Sequence, residues 1–447
     1  MNIITKAIFI LFALSVEAQQ EVCNNAPVEF TYCVNNKVLT RVIKKRAVTD
    51  FTNAGHLTLD VNSDLEIAPE AFSKVNVTSL WLYFPQVNYD DKSKSKVLTL
   101  HSDSFAHLSH LHQLRVFRAN VKFNGNPFVN TRQLRSLEMT AGNLTEIPRE
   151  QIESLPNLDF LNLEDNLIER VPENIFRNNP HLGYINFRRN KIAKLEAGWS
   201  NGLTTVEKLD FSINSISGEP GMFAGIPWLK NLDLSEAFDS NGFHSYVLDN
   251  LPNLEVLVLG LNNLTSLEPG VFDRFPKLRE ISLYSNRLRN IPTGVFEKLT
   301  SLQDLSFVDN EIETIQPGAF SGLNLRFLKL ENNKIKTIEP RTFSGLTVEY
   351  LDLHGNDISE VKPYAFDGLN VNSLDMTYNA LREVGVDDFA GLIVKDLNLG
   401  KNPIREIADG AFSNTTLKST LTLYMTSLER LHKSRWGVSD SAEVTMF

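Results

Sequence analysis

The stretch "LDLHGNDISEVKPYAFDGL", Leu351 to Leu369, decides the fold. It returns as "LDMTYNALREVGVDDFAGL" from Leu374 and as "LNLGKNPIREIADGAFSN" from Leu397. Aligned on L-x-L-x-x-N-x-L, the register runs through most of the chain. Its asparagine falls at Asn166, Asn190, Asn214, Asn262, Asn286, Asn310, Asn333, Asn356, Asn379 and Asn402. Successive members are 23 or 24 residues apart, except for one double step of 48 in which Ala237 holds the slot. Upstream, Gly142, Ala119 and Pro85 hold it in degenerate copies, and Asn62 opens the series. Thr426, in "LTLYMTSL", closes a run of about sixteen units.

A fixed period of this length is the signature of a solenoid. The alternate leucines of L-x-L point to one side of a short strand, so adjacent copies pairing in parallel stack them into one core. The asparagine sits where the chain leaves the strand. Its amide can bond backbone groups of its own and neighbouring turns, which a buried irregular segment must otherwise leave unsatisfied. The later half, I-x-P-x-x-F-x-x-L, supplies an outer wall: Ile291, Phe296 and Leu299 in one copy, Ile315, Phe320 and Leu323 in the next. No copy buries its own apolar face, so the repetition is the fold.

These motifs resemble the extracellular, typical-type leucine-rich repeat family, the type of Toll-like ectodomains and of many secreted arthropod proteins. The resemblance covers residues 56–431. It implies an α/β solenoid: a leucine-rich repeat horseshoe with a concave parallel β-sheet and an irregular or 3-10 convex side. The organisation expected is a signal peptide over 1–18, an N-terminal cap over 19–55, repeats over 56–431, and a C-terminal tail or cap over 432–447. The chain departs from the family pattern in its ends. Many members carry four cysteines in each cap, whereas here there are two, Cys23 and Cys33. The C-terminal edge needs another shield, for which "LERLHKSRWGV" is the candidate.

The first residues point to export. "MNIITKAIFILFALSVEA" has one lysine, an apolar run from Ala7 to Val16, and Val16 and Ala18 suited to signal-peptidase cleavage after Ala18. That run is far shorter than the ~20 residues a membrane span requires, so no membrane insertion is expected. The cysteines agree with an oxidising compartment, and a Cys23–Cys33 bridge is expected. The balance is acidic, net −10, which argues against a nucleic-acid partner. Four glycosylation sequons occur, at Asn76, Asn143, Asn263 and Asn414.

Residues flanking the strand leucines project from the concave face. Trp81, Tyr83, Phe84 and Phe117 crowd the first copies, followed by Phe160 and Tyr184. Further on come Val256, Val258, Leu261 and Tyr284, then Phe327 and Tyr350 in neighbouring copies. Acids lead among the charged residues: Asp210, Asp233, Glu236, Asp352, Asp375 and Asp396, against Arg188, Arg189, Lys208 and Lys329. One exposed aromatic is ordinary, but columns of them mark a contact surface. The ligand-binding set is therefore Trp81, Tyr83, Phe117, Phe160, Tyr184, Val256, Val258, Tyr284, Phe327 and Tyr350, facing a protein or glycan ligand. Two irregularities stand out. "VNYDDKSKSKV", Val87 to Val97, reads as a solvated loop, and "SEAFDSNGFHSYVLDN" breaks the asparagine ladder as a kink or a contact site.

Catalytic patterns are weak. "GWSNG", Gly198 to Gly202, matches a nucleophile elbow, yet it lies where other copies write "PGAFSGL", with Trp199 in the place of the wall phenylalanine. His107, His110 and His112 have near-ligand spacing, but Leu108, Leu111 and Leu114 are the inward residues of that copy. No enzyme, metal or cofactor is expected. The leading function is recognition of a macromolecule, with innate immune recognition first. The alternatives are a matrix or cell-surface adhesion component and a non-catalytic subunit of a secreted enzyme complex.

Overall fold

A computed structural model describes residues 22–25, 30–44, 55–85, 95–240 and 242–446. The expected signal segment lies outside the described residues, as do residues 87–94 of the expected loop. The chain divides into two compact units, residues 1–186 with 201–204, and residues 187–200 with 205–447. Each is a parallel β-solenoid, the fold class expected.

In the first unit, strands His56–Asp60, Ser79–Tyr83, Gln113–Phe117, Ser136–Thr140, Phe160–Asn162 and Tyr184–Asn186 pair in parallel in chain order. The register is that of the repeat: Leu57, Leu80, Leu114, Leu137, Leu161 and Ile185 lie side by side, all buried. A second sheet starts from a hairpin meander of Val22–Asn25, Phe30–Asn35 and Val38–Lys44, in which Cys23 opposes Cys33 and is bonded to it. Leu65–Ile67, Lys96–His101 and Ala119–Asn124 extend that sheet in parallel. Two expectations are corrected here. Lys96 and Val97, read as loop, belong to a strand, because Leu98 and Leu100 alternate into the core. The back of these early coils, expected to be irregular, is sheet.

In the second unit eleven strands, counted among the described residues, run in parallel from Lys208–Asp210 to Glu443–Thr445. Its outer wall is built from two-residue strand pairs such as Asn290–Ile291 beside Thr314–Ile315. Behind them runs a column of buried phenylalanines: Phe272, Phe296, Phe320, Phe343, Phe366, Phe389 and Phe412, with successive centroids 5.4–6.2 Å apart. Trp199 is buried against Phe211 and Phe223 and donates its indole N–H to the Met222 carbonyl at 2.8 Å. Ser200 beside it is buried in the same turn. At the C-terminal end Trp436 is buried, and its carbonyl accepts the Phe412 N–H at 2.8 Å.

The asparagines form the ladder that the repeat demands. Asn310 donates to the carbonyls of Leu283 (2.9 Å) and Phe307 (3.0 Å), one in the preceding coil and one in its own. Its Oδ1 accepts the Leu288 N–H at 3.1 Å. Asn166, Asn214, Asn286, Asn333, Asn356, Asn379 and Asn402 repeat this pattern. Ladder carbonyls are shared: that of Leu330 accepts from both Asn333 and Asn356. Where the asparagine is missing, Ala237 is buried and its N–H is taken by Asn262. Thr426 copies half the pattern by donating to the Leu423 carbonyl at 2.9 Å. Asn62 and Pro85 are exposed and stand outside the ladder. The ladder-breaking segment holds a 3-10 turn, Ser245–Leu248, with Val247 and Leu248 packed inward.

Candidate binding face

Strand geometry turns the residues flanking each inward leucine onto the open face of the sheet. In the first unit this places Trp81, Tyr83, Phe117, Phe160 and Tyr184 there, all partly exposed. Phe84, expected beside them, is buried: it follows Leu80 and Leu82 in the alternation and belongs to the core. The rings do not stand free. Tyr83 stacks on Phe117 at 5.2 Å and Phe160 lies 5.0 Å from Tyr184. Trp81 is held between His56, edge-on at 4.4 Å, and the Arg115 guanidinium, 4.5 Å from its centroid. Arg115 in turn bonds the buried Glu138 at 2.8 Å. Burial, and after it the Arg115 charge, push the His56 imidazole below its usual range.

In the second unit Val256, Val258 and Tyr284 are half-buried and Leu261 is exposed. The Tyr284 ring lies across Gly260, where an added Cβ would come within 2.2 Å of it. Phe327, 38% exposed, meets Tyr350 edge-on at 6.3 Å. The ten residues thus divide five and five between the units.

The acids on this face have a structural duty that their charge concealed. Asp210 Oδ1 accepts both the backbone N–H of Ser212 (2.9 Å) and its hydroxyl (2.6 Å), and Asp233 does the same for Ser235. Asp352 and Asp375 accept the N–H groups of His354 and Thr377 at 2.9 and 2.8 Å. Asn162 and Asn398 do this uncharged. The position wants a short side-chain acceptor two residues before an otherwise unmet N–H, and charge is optional there.

Burial foremost holds the Asp352 carboxyl above the ordinary carboxylate range, with the neighbouring Asp375 adding to it. The unfolded residue therefore ionises first as pH rises. Stability present below the unfolded pKa is lost as pH climbs through the folded one, and the deficit persists at neutral pH. Asp352→Asn keeps the Oδ1 acceptor, so it is expected to melt above wild type at neutral pH. The gap should close when thermal unfolding is repeated below the carboxylate range. An equal gap at both pH values would refute the burial account.

One cluster escaped sequence reasoning: His354, Tyr378, Lys401 and Tyr424. Tyr378 is 50% exposed, with His354 edge-on at 4.8 Å. Lys401 Nζ sits 4.0 Å from the Tyr378 centroid, donates to its hydroxyl, and lies 5.6 Å from the Tyr424 ring. Tyr378 and Lys401 precede ladder asparagines and take positive φ, as do Asp165, Leu261, Ser285, Asp309, Asn332 and Met425 at the equivalent place. That left-handed residue turns its side chain outward. The signal was present, one position before each asparagine.

His107, His110 and His112 are exposed, while Leu108, Leu111 and Leu114 are buried. Among the described residues no group of three or more histidine, cysteine or acidic side chains is arranged to hold a metal ion, and no helix is long and apolar enough to cross a membrane.

Serial parallel coils with a buried asparagine ladder and an open sheet face define a leucine-rich repeat protein. The pattern described for the family as leucine rich repeat matches residues 132–192, 180–236, 241–288, 276–335 and 324–381, more than half the chain, and the protein belongs to that family. It is 31% identical over 168 residues to the rat leucine-rich repeat-containing G-protein coupled receptor 5, covering 37% of this chain and 18% of the receptor. It is 27% identical over 232 residues to Tsukushi of Gallus gallus, covering 50% and 53%, and 25% identical to Toll-like receptor 3 of Boselaphus tragocamelus, covering 42% and 24%. The chain thus spans between 18% and 53% of these three relatives. Among solved structures, a chain of the Drosophila Toll–Spatzle complex superposes with a TM-score of 0.55 at 18% identity, over 97% of this chain and 73% of that one. A leucine-rich repeat protein of Leptospira interrogans gives 0.54 at 19%, over 80% and 97%. At these identities the superpositions speak to fold alone.

Proposed function

We propose that this protein is a secreted, non-catalytic recognition protein that binds a protein ligand on the open face of its sheet, with innate immune recognition as the leading context. The observation that carries the reading is the set of partly exposed apolar side chains Val256, Val258, Tyr284, Phe327 and Tyr350, on the open face of strands whose leucines already fill the core. Such surface is costly to leave wet, and continuous patches of it serve as contact sites. Likeness to Toll-like receptor 3 and Tsukushi supports an extracellular ectodomain type. The solved neighbour of the same fold, in complex with Spatzle, is consistent with a protein ligand. Asn76 and Asn263 are exposed and suit glycans, whereas the Asn414 amide donates to Asp387 at 2.8 Å and Asn143 is half-buried. A role in matrix adhesion or as an enzyme subunit would use the same face.

The test is capture of a partner from the native extracellular fluid, identification by mass spectrometry, and titration against variants. Phe327→Ala with Tyr350→Ala is expected to weaken the partner about tenfold to a hundredfold, as for buried aromatic anchors, while leaving the circular dichroism spectrum intact. Unchanged affinity would remove this face from the reading.

A further inference from the structure

The chemistry of the face narrows the partner. Across three adjacent coils of the second unit, Phe327, Tyr350 and Tyr378 present rings beside a line of acids. Asp352 and Asp375 are direct neighbours in the parallel register, so their backbones are about 4.8 Å apart. Each has one oxygen committed to a backbone N–H. Among the described residues the only further bond is a long one, from the Tyr350 hydroxyl to Asp352 at 3.3 Å. Among the described residues neither acid is in an ion pair, whereas Asp304 and Asp396, in the adjacent column of the sheet, are met by Arg326 and Lys395. Glu331 lies close enough that the Asp352 charge contributes to raising its carboxyl. Like charges held side by side are unfavourable in the unbound chain, His354 offsets only part of the Asp352 charge, and Asn162 and Asn398 show that the fold does not require the pair.

We propose that the face from Phe327 to Tyr378 docks a basic protein segment, its arginine or lysine held between Asp352 and Asp375 and its apolar neighbours laid on Phe327, Tyr350 and Tyr378. The proposal rests on the binding-face reading above and adds the partner's chemistry. Charge complementarity selects a cation and repels an acidic peptide or an anionic glycan. The rings select a segment with apolar side chains, and a guanidinium can stack on them as well. Lys329, the register neighbour of Asp352, lies 5.9 Å from the Phe327 ring centroid and Lys401 4.0 Å from that of Tyr378, so both lysines are turned to rings and the acid pair is left half-buried.

The experiment uses the full chain and two short labelled peptides, one alternating arginine with leucine and one alternating glutamate with leucine, read by fluorescence anisotropy. The arginine peptide is expected to bind and the glutamate peptide not. Asp352→Asn with Asp375→Asn, which preserves both backbone acceptors, is expected to weaken the arginine peptide about tenfold or more. Asp233→Asn, the same change on another strand of the unit, should leave it unchanged. Binding of both peptides alike, of neither, or equally by the double asparagine variant overturns the proposal. So does spermine binding as tightly as the peptide, since the rings would then add nothing. The two readings separate on the captured protein partner. If Phe327→Ala with Tyr350→Ala weakens it and the asparagine pair does not, the face binds protein and the cationic occupant is wrong. If neither weakens it, both fall.

Discussion

Phe343→Ala is expected to cost about 3–5 kcal/mol of unfolding free energy, the range for emptying a phenylalanine site in a core. Phe343 is fully buried and stacked between Phe320 at 6.2 Å and Phe366 at 5.7 Å, with interplanar angles of 6° and 4°. Rings so closely parallel leave neither neighbour free to tilt into the vacancy, so little relaxation offsets the loss. A solenoid adds a second consequence. Its stability is a sum of coil and nearest-neighbour terms, and this substitution removes two interfaces at once. The coils C-terminal to Phe343 should then unfold ahead of those before it. Hydrogen exchange along the second unit, with urea unfolding beside it, measures both effects. A loss below about 1 kcal/mol, or protection that falls uniformly, would mean that the column is decoration on a core held elsewhere.

The second large effect falls on the ladder. Asn356→Ala removes the acceptor for the Ile335 N–H at 3.2 Å and one of the two donors to the carbonyls of Leu330 and Leu353. Those carbonyls keep Asn333 and Asn379, so the orphaned group is the Ile335 N–H. An unmet buried donor costs about 1–3 kcal/mol, and the small void adds to it, giving about 3 kcal/mol in all. Asn356→Asp separates this account from simple packing. It has nearly the same shape and retains the acceptor, but it aims a carboxylate at two carbonyl oxygens, so it should be worse than alanine at neutral pH and recover as acid protonates it. Urea titrations of both variants at two pH values decide the matter. An aspartate variant as stable as wild type at neutral pH would show that the amide's donors are dispensable.

Much of this was legible because the repeat writes its own answer. The asparagine positions, the inward leucines, the phenylalanine wall and Trp199 in its place all follow from one alignment, since each copy sees the same neighbours and obeys the same constraints. The cysteine bridge followed from compartment and count. The misreadings share a cause. From sequence Phe84 reads as open face and Val97 as loop because the first coils are degenerate, and one position of slip in a strand reverses which side a residue faces. From sequence the acids of the sheet read as displayed charge. Only the geometry showed Asp210, Asp233, Asp352 and Asp375 holding turn N–H groups. Tyr378 and Lys401 take the left-handed position beyond the strand, where strand alternation gives no orientation.

By itself, then, the sequence determined that coils stack, in what register, and which side chains vanish between them, because those are periodic properties that each copy restates. The tertiary structure decided which outward side chains are already engaged by other side chains, as Trp81 is by His56 and Arg115, and which give one oxygen to the backbone and keep the other facing a like charge, as Asp352 and Asp375 do. That distinction depends on residues 23 to 34 positions apart meeting across adjacent strands, where contact is set by the pairing of coils and no local pattern encodes it.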